Sequence, residues 1–153
     1  YWFPINAEAL NQAMMTGTFR SFADSVPEGF DQARDVVLEF IASLESESIS
    51  IGGFSQGAMV STHIALTTAF TPKKLLILSG ALVCKSNWMQ ADPSKQFPIF
   101  QSHGSGDPIL GHAYAKDLET LLRERGHAVD FHDFAGGHEL PPHILSELKN
   151  FIA

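Results

Sequence analysis

Gly53-Phe54-Ser55-Gln56-Gly57 is the stretch that most narrows what this chain can become. Ahead of it, Ile49 and Ile51 sit between small residues, the pattern of a short buried strand. Behind it, Ala58 to Leu66 has the composition of a helix. A serine between a buried strand and a helix is forced into a tight bend, and glycines two residues to either side leave room for that bend. The hydroxyl then projects above the end of a sheet. There the first amides of the helix and its dipole favour negative charge. The competing account of the same five residues is a glycine-rich strand–helix turn with an incidental serine.

The rest of the chain alternates around this turn. A short helix is predicted over Ala7 to Met15, with Tyr1, Trp2, Phe3, Phe19 and Phe22 covering the edge of a core. Ala33, Val37, Phe40, Ile41 and Leu44 recur with a 3.6-residue period and predict a packing helix. The helix after Gln56 is expected to end before Thr71-Pro72. Leu75-Leu76-Ile77-Leu78 reads as a strand apolar on both faces, closed by Ser79-Gly80. A longer connection follows over 81–96. Phe97 to Phe100 is the third strand, leading into a loop from Gln101 to Pro108. A helix over 111–125 carries Tyr114, Leu118, Leu121 and Leu122 on one face. Val129 to Phe134 alternates apolar and polar, as an edge strand does. After a loop from Ala135 to Pro142, Ile144, Leu145, Leu148, Phe151 and Ile152 form the stripe of a last helix. This alternation specifies one α/β domain over 1–153, a mostly parallel sheet sandwiched between helices.

Composition excludes several classes. The 153 residues suffice for one real core, and the formal net charge of −7 argues against a nucleic-acid or anionic-membrane surface. No apolar run reaches the ~18 residues of a membrane span. No secretion signal is evident. Cys84 is the one cysteine, so no intrachain disulfide can form; this fits a reducing compartment, and a cytoplasmic location is expected. Cys84 reads as a packing residue rather than a nucleophile. The sequence opens Tyr1-Trp2-Phe3-Pro4 without a methionine, so a preceding segment is expected.

In open α/β sheets the working residues gather at the carboxyl ends of the strands. Ser55, Asp107 and His138 each follow a predicted strand, so they can meet at one rim. Their order along the chain, Ser, Asp, His, is the order found when such a turn sits on a parallel sheet. A serine hydroxyl attacks only when a base takes its proton. A histidine serves as that base, and a carboxylate behind it fixes the ring's tautomer. Each residue also has a plain role: Asp107 before Pro108 as a turn former, and His138 as one of seven histidines, with His103 and His112 its main rivals. His63 reads as a mid-helix packing or surface residue. Three other patterns carry less. His138-Glu139 with His143 has the wrong spacing for a zinc helix and is broken by Pro141-Pro142, so no metal is expected. Gly104-Ser105-Gly106 is too short for a phosphate cradle. Ser146 and Lys149 lie on an amphipathic end helix without partners.

Gly53-Phe54-Ser55-Gln56-Gly57, Leu78-Ser79-Gly80, His103-Gly104-x-x-Asp107-Pro108 and Gly137-His138 together resemble the acyl-protein thioesterase/carboxylesterase family of α/β-hydrolases. The resemblance runs from about residue 30 onward, with Tyr1-Trp2-Phe3 similar to that family's tryptophan stretch. It implies the C-terminal portion of a three-layer α/β-hydrolase sandwich. It implies Ser55 as nucleophile, Asp107 as acid, His138 as base and the Gln56 amide as an oxyanion donor, with no cofactor. It also implies a small-molecule acyl ester or acylated substrate. Phe54, Leu82, Trp88 and Met89 are candidates for an acyl pocket; the alternative for Trp88 and Met89 is that they cap the core. A homodimer is a candidate assembly. Ala58 stands where many relatives carry glycine. The family's N-terminal strands and His-Gly-rich loop, source of a second oxyanion amide, have no counterpart here. A preceding segment or a partner chain is expected to supply them. Against an esterase or thioesterase stands a non-catalytic binding or regulatory domain with an incomplete oxyanion hole.

Overall fold

The computed structural model describes residues 1–4, 7–16 and 23–153. Phe19 and Phe22 lie outside the described residues. The elements are α1 (Ala7–Thr16), α2 (Phe30–Ser43), β1 (Ile51–Phe54), α3 (Gln56–Thr67), β2 (Leu75–Leu78), α4 (Lys85–Trp88), β3 (Ile99–Gly104), α5 (His112–Glu124), β4 (Val129–Phe134) and α6 (Pro142–Ile152). The four strands pair in parallel in the order β1-β2-β3-β4. All four carboxyl ends therefore lie at one rim. The alternating α/β sandwich read from the sequence is the fold observed.

The sheet is covered on both faces. Ile51, Leu75, Ile77, Ile99 and Val129 pack with residues of α2, α3 and α5 in the larger core. Leu78, Phe100 and Phe134 pack with Ile144 of α6 on the other face, joined by Leu76, Leu148 and Phe151. β2 thus sends successive leucines to opposite cores, which is why its sequence is apolar throughout. β4 lies at the edge of the sheet, and its polar residues Asp130 and Asp133 are exposed.

Several elements differ from expectation. The first strand starts at Ile51 and runs through Gly52-Gly53-Phe54, later than the Ile49–Ile51 run. A Cβ at Gly53 would collide with the backbone of Gly57 and Ala58, so only glycine lets α3 fold back this closely over its own strand. The third strand is Ile99–Gly104 rather than Phe97–Phe100 and absorbs Gln101-Ser102-His103, all fully buried. These polar residues continue a strand whose ladder to β4 runs as far as Gly104 and Phe134. The 81–96 connection holds the one-turn helix α4, which carries no long periodic signal. On α2, Phe30 and Ala33 are buried but Phe40 is 63% exposed, so the expected stripe packs only in part. On α6 the buried side is likewise narrower: Ile144 is buried, Leu148 and Phe151 pack beside it, and Leu145 and Ile152 are exposed.

Cys84 is buried in the larger core, where burial, aided by Asp31, pushes its thiol up to about 11. His63 is buried in α3, packed on Phe30 with ring centroids 4.8 Å apart. No described helix is long and apolar enough to cross a membrane.

Candidate active site

β1 delivers Phe54 to the rim and the chain turns at Ser55. Its φ of 56° and ψ of −119° lie where side chains beyond glycine are strained. The turn is fixed from both sides. Ser55 N–H donates to Leu78 O at 2.8 Å, and Ser55 O accepts from Ala58 N–H at 3.1 Å and Met59 N–H at 3.2 Å. α3 begins at the next residue, so the Gln56 and Gly57 amides belong to the first turn, which has no carbonyl one turn back to bond. Those amides are what an anion beside Ser55 would meet.

The Gln56 side chain performs a second task. Its Oε1 accepts from Trp2 N–H at 3.1 Å, and its Nε2 donates to Phe3 O at 2.9 Å. One amide therefore ties the Trp2–Phe3 backbone to the start of α3. The Trp2 indole lies over Gly57, and Phe3 packs edge-on to Phe30. The expectation that the opening aromatics cover a core edge holds for Phe3; Tyr1 points into solvent.

Asp107 sits in the loop that follows β3. Its side chain is fully buried. Oδ1 accepts from the amides of Ile109 at 2.8 Å and Leu110 at 2.9 Å. Oδ2 lies 2.7 Å from His138 Nδ1 and 3.3 Å from His103 Nε2. Burial pushes the Asp107 carboxyl up. The N–H groups of His103 and His138, with the amides of Leu110 and Ile109, outweigh burial and hold it well below the ordinary carboxylate range. Asp107 is thus a charge fixed by four donors, more than a turn former needs.

His138 follows β4 in a loop locked onto the acid loop. Gly106 N–H donates to Gly136 O at 2.9 Å, and Ser105 N–H donates to Phe134 O at 2.8 Å. A Cβ at Gly104 would strike the carbonyl oxygens of Gly137 and Gly136, so glycine is required for the two loops to close on each other. Exposed Glu139 accepts from Gly137 N–H at 3.2 Å and stiffens the same turn. The His138 side chain is 16% exposed, and its ring packs against Phe54 with centroids 4.7 Å apart. The structure therefore joins Asp107 and His138 directly. His138 packs on Phe54, the residue before Ser55, and no hydrogen bond joins His138 to Ser55 among the described residues.

The pocket candidates scatter. Phe54, 37% exposed, stands at the rim against His138. Trp88 is fully buried and donates its indole N–H to His63 Nδ1 at 3.1 Å, so it seals the core instead of lining open space. Leu82 and Met89 line a cavity of about 420 Å³ beside α5, with Leu121, Lys85, Asp117 and Glu124. Ser55, Asp107 and His138 take no part in its walls. Of the rival histidines, His112 opens α5 and faces Asp133, while His103 is buried behind Asp107. The sequence did not single out the contact of His103 with the acid. Its signal was the polar triplet Gln101-Ser102-His103 extending an apolar strand.

The family described as Phospholipase/Carboxylesterase matches residues 1–153. Acyl-protein thioesterase 1 of Debaryomyces hansenii is 34% identical over 113 residues, covering 71% of this chain and 49% of that protein. Acyl-protein thioesterase 1 of Neurospora crassa is 29% identical over 119 residues, covering 74% and 49%. The chain thus spans about half the length of the curated relatives it matches. The crystal structure of esterase PE8 superposes with a TM-score of 0.79 at 22% identity, covering 99% of this chain and 68% of that one. It carries the same α/β-hydrolase fold. Motif, parallel sheet and whole-chain match agree: this chain belongs to the phospholipase/carboxylesterase family.

Proposed function

We propose that this chain carries the acyl-transfer centre of a serine carboxylesterase or thioesterase, with Ser55 as nucleophile, His138 as base and Asp107 as the carboxylate that orients it. The observation that carries this is the 2.7 Å contact between Asp107 Oδ2 and His138 Nδ1, at the same rim as the strained turn at Ser55. Asp107 accepts a hydrogen bond from His138 Nδ1–H, which keeps the proton on Nδ1 and leaves Nε2 with the free lone pair that a base requires. Ser55 Oγ attacks the acyl carbonyl carbon and passes its proton to Nε2. The carbonyl oxygen becomes an oxyanion facing the Gln56 amide and the start of α3. Collapse expels the alcohol or thiol, which leaves with the proton from Nε2, and the acyl group stays on Ser55. Water then attacks the acyl-enzyme with His138 as base, releasing the carboxylic acid and restoring the serine.

The relatives named acyl-protein thioesterase favour acylated substrates, small esters or thioesters among them. A second account, a binding domain without turnover, draws on the oxyanion donors all coming from the start of α3, with none assigned from a second loop. Labelling with a fluorophosphonate separates the two. Modification at Ser55, with Ser55→Ala abolishing both labelling and p-nitrophenyl ester hydrolysis, supports the esterase. A folded protein that resists the probe, or keeps its activity as Ser55→Ala, overturns it.

A further inference from the structure

His103 is fully buried yet polar, and its Nε2 lies 3.3 Å from the same Asp107 oxygen that His138 contacts. Its Nε2 is 2.7 Å from Leu110 O, a group that can only accept. The proton therefore sits on Nε2, and the same N–H reaches Asp107 Oδ2 at 3.3 Å. Nδ1 on the far side of the ring is buried without a hydrogen-bond partner among the described residues. A histidine placed only to fill space would leave an apolar residue the better choice, because a buried unpaired acceptor is unfavourable.

The arrangement around the carboxylate shows what the N–H accomplishes. Oδ1 is held by two backbone amides, one of them that of Leu110, whose carbonyl His103 also holds. Oδ2 is the oxygen that His138 uses. His103 thus meets the acid twice, through Leu110, which it shares with Oδ1, and at 3.3 Å from Oδ2. We propose that His103 is a positioning residue of the centre: its Nε2–H, donated to Leu110 O and 3.3 Å from Oδ2, fixes the loop that holds the carboxylate and so keeps Oδ2 facing His138 Nδ1. His103 touches neither Ser55 nor the substrate and acts through Asp107 alone. This rests on the assignment of Asp107 and His138 given above.

Two polar variants of different reach test it. The amide nitrogen of Gln can occupy the place of histidine Nε2, whereas that of Asn reaches only as far as Nδ1. His103→Asn should lower kcat by about 10- to 100-fold with KM little changed, and His103→Gln should recover most of the loss. The far-downfield proton NMR signal of His138 Nδ1–H should shift or broaden in His103→Asn and return in His103→Gln. That readout needs no turnover. If wild-type Ser55 resists a fluorophosphonate, the nucleophile assignment fails while the NMR comparison still decides the role of His103. A His103→Asn protein that is folded by circular dichroism, keeps kcat within about twofold and leaves the proton signal unmoved overturns the proposal. So does an equal loss in both variants, the mark of a packing role.

Discussion

Replacing Asp107 by Asn separates the charge of the acid from its shape. The amide oxygen can still accept from the Ile109 and Leu110 amides, so the loop keeps its main anchor. An NH2 group then stands where Oδ2 was, facing His103 Nε2 and His138 Nδ1. His138 can answer by moving its proton to Nε2, the tautomer that cannot serve as a base. His103 cannot follow, because its N–H is committed to Leu110 O. One contact is thus inverted and one becomes donor against donor. Hydrogen bonds to a charged group contribute about 1.5–3 kcal/mol each, and part of two such bonds is lost, so about 2–3 kcal/mol of stability should go. For a domain of this size that is a fall in Tm of about 5–10 °C. The tautomer change should reduce kcat by about 10³- to 10⁴-fold. The pH dependence of stability should change as well. The wild-type carboxyl is held below its ordinary range, so its contribution is full above about pH 4 and is lost as pH falls toward the folded value. Asp107→Asn should flatten that acid slope. The assays are p-nitrophenyl acetate turnover and urea unfolding from pH 7 down to pH 3. A folded Asp107→Asn protein with kcat within tenfold of wild type would refute the assigned role of the acid.

Two further substitutions probe strain and burial. Ser55→Gly should be at least as stable as Ser55→Ala, by up to about 1 kcal/mol, because glycine adopts φ near 56° freely while alanine does not; chemical denaturation compares them. His63 is kept below its ordinary value by burial first and then by Arg34, so the folded ring stays neutral where the unfolded chain binds a proton. Its stabilising contribution is therefore full above about pH 6.5 and is lost as pH falls through the folded value. His63→Asn, which can keep an acceptor for the Trp88 indole, should give a smaller drop in urea midpoint between pH 7.5 and 5.5. The slope that persists belongs in part to His127, lowered likewise by burial.

The sequence was most legible where hydrophobic period and glycine spacing act alone. Leu75 to Leu78 could be only a two-faced strand, and Gly53-x-Ser55-x-Gly57 could hardly be other than a bend between strand and helix. It was least legible where polar groups are buried by partners far along the chain. Gln101 to His103 look like a loop until the ladder to β4 supplies their hydrogen bonds. Trp88 stays open between pocket and core cap in the sequence, because nothing local announces that His63, 25 residues away, receives its indole N–H. Phe40 shows the converse error: it keeps the period of α2 but faces outward, since periodicity tells which residues share a face and not what covers it.

The centre is built from two halves of unequal rigidity. Asp107 and His138 come from consecutive loops after adjacent strands, and those loops interlock through Gly104, Gly106, Gly136 and Gly137. That half is complete without Ser55. The serine stands two strands away from β3, at the far edge of the described sheet, and is tied across β2 by the bond from its amide to Leu78 O. Between the halves lies the packing of Phe54 on His138, the one ring contact spanning them among the described residues. The Asp107–His138 pair is therefore set without Ser55, and on the proposed function the join that turnover needs is the one between the strained turn at Ser55 and the imidazole.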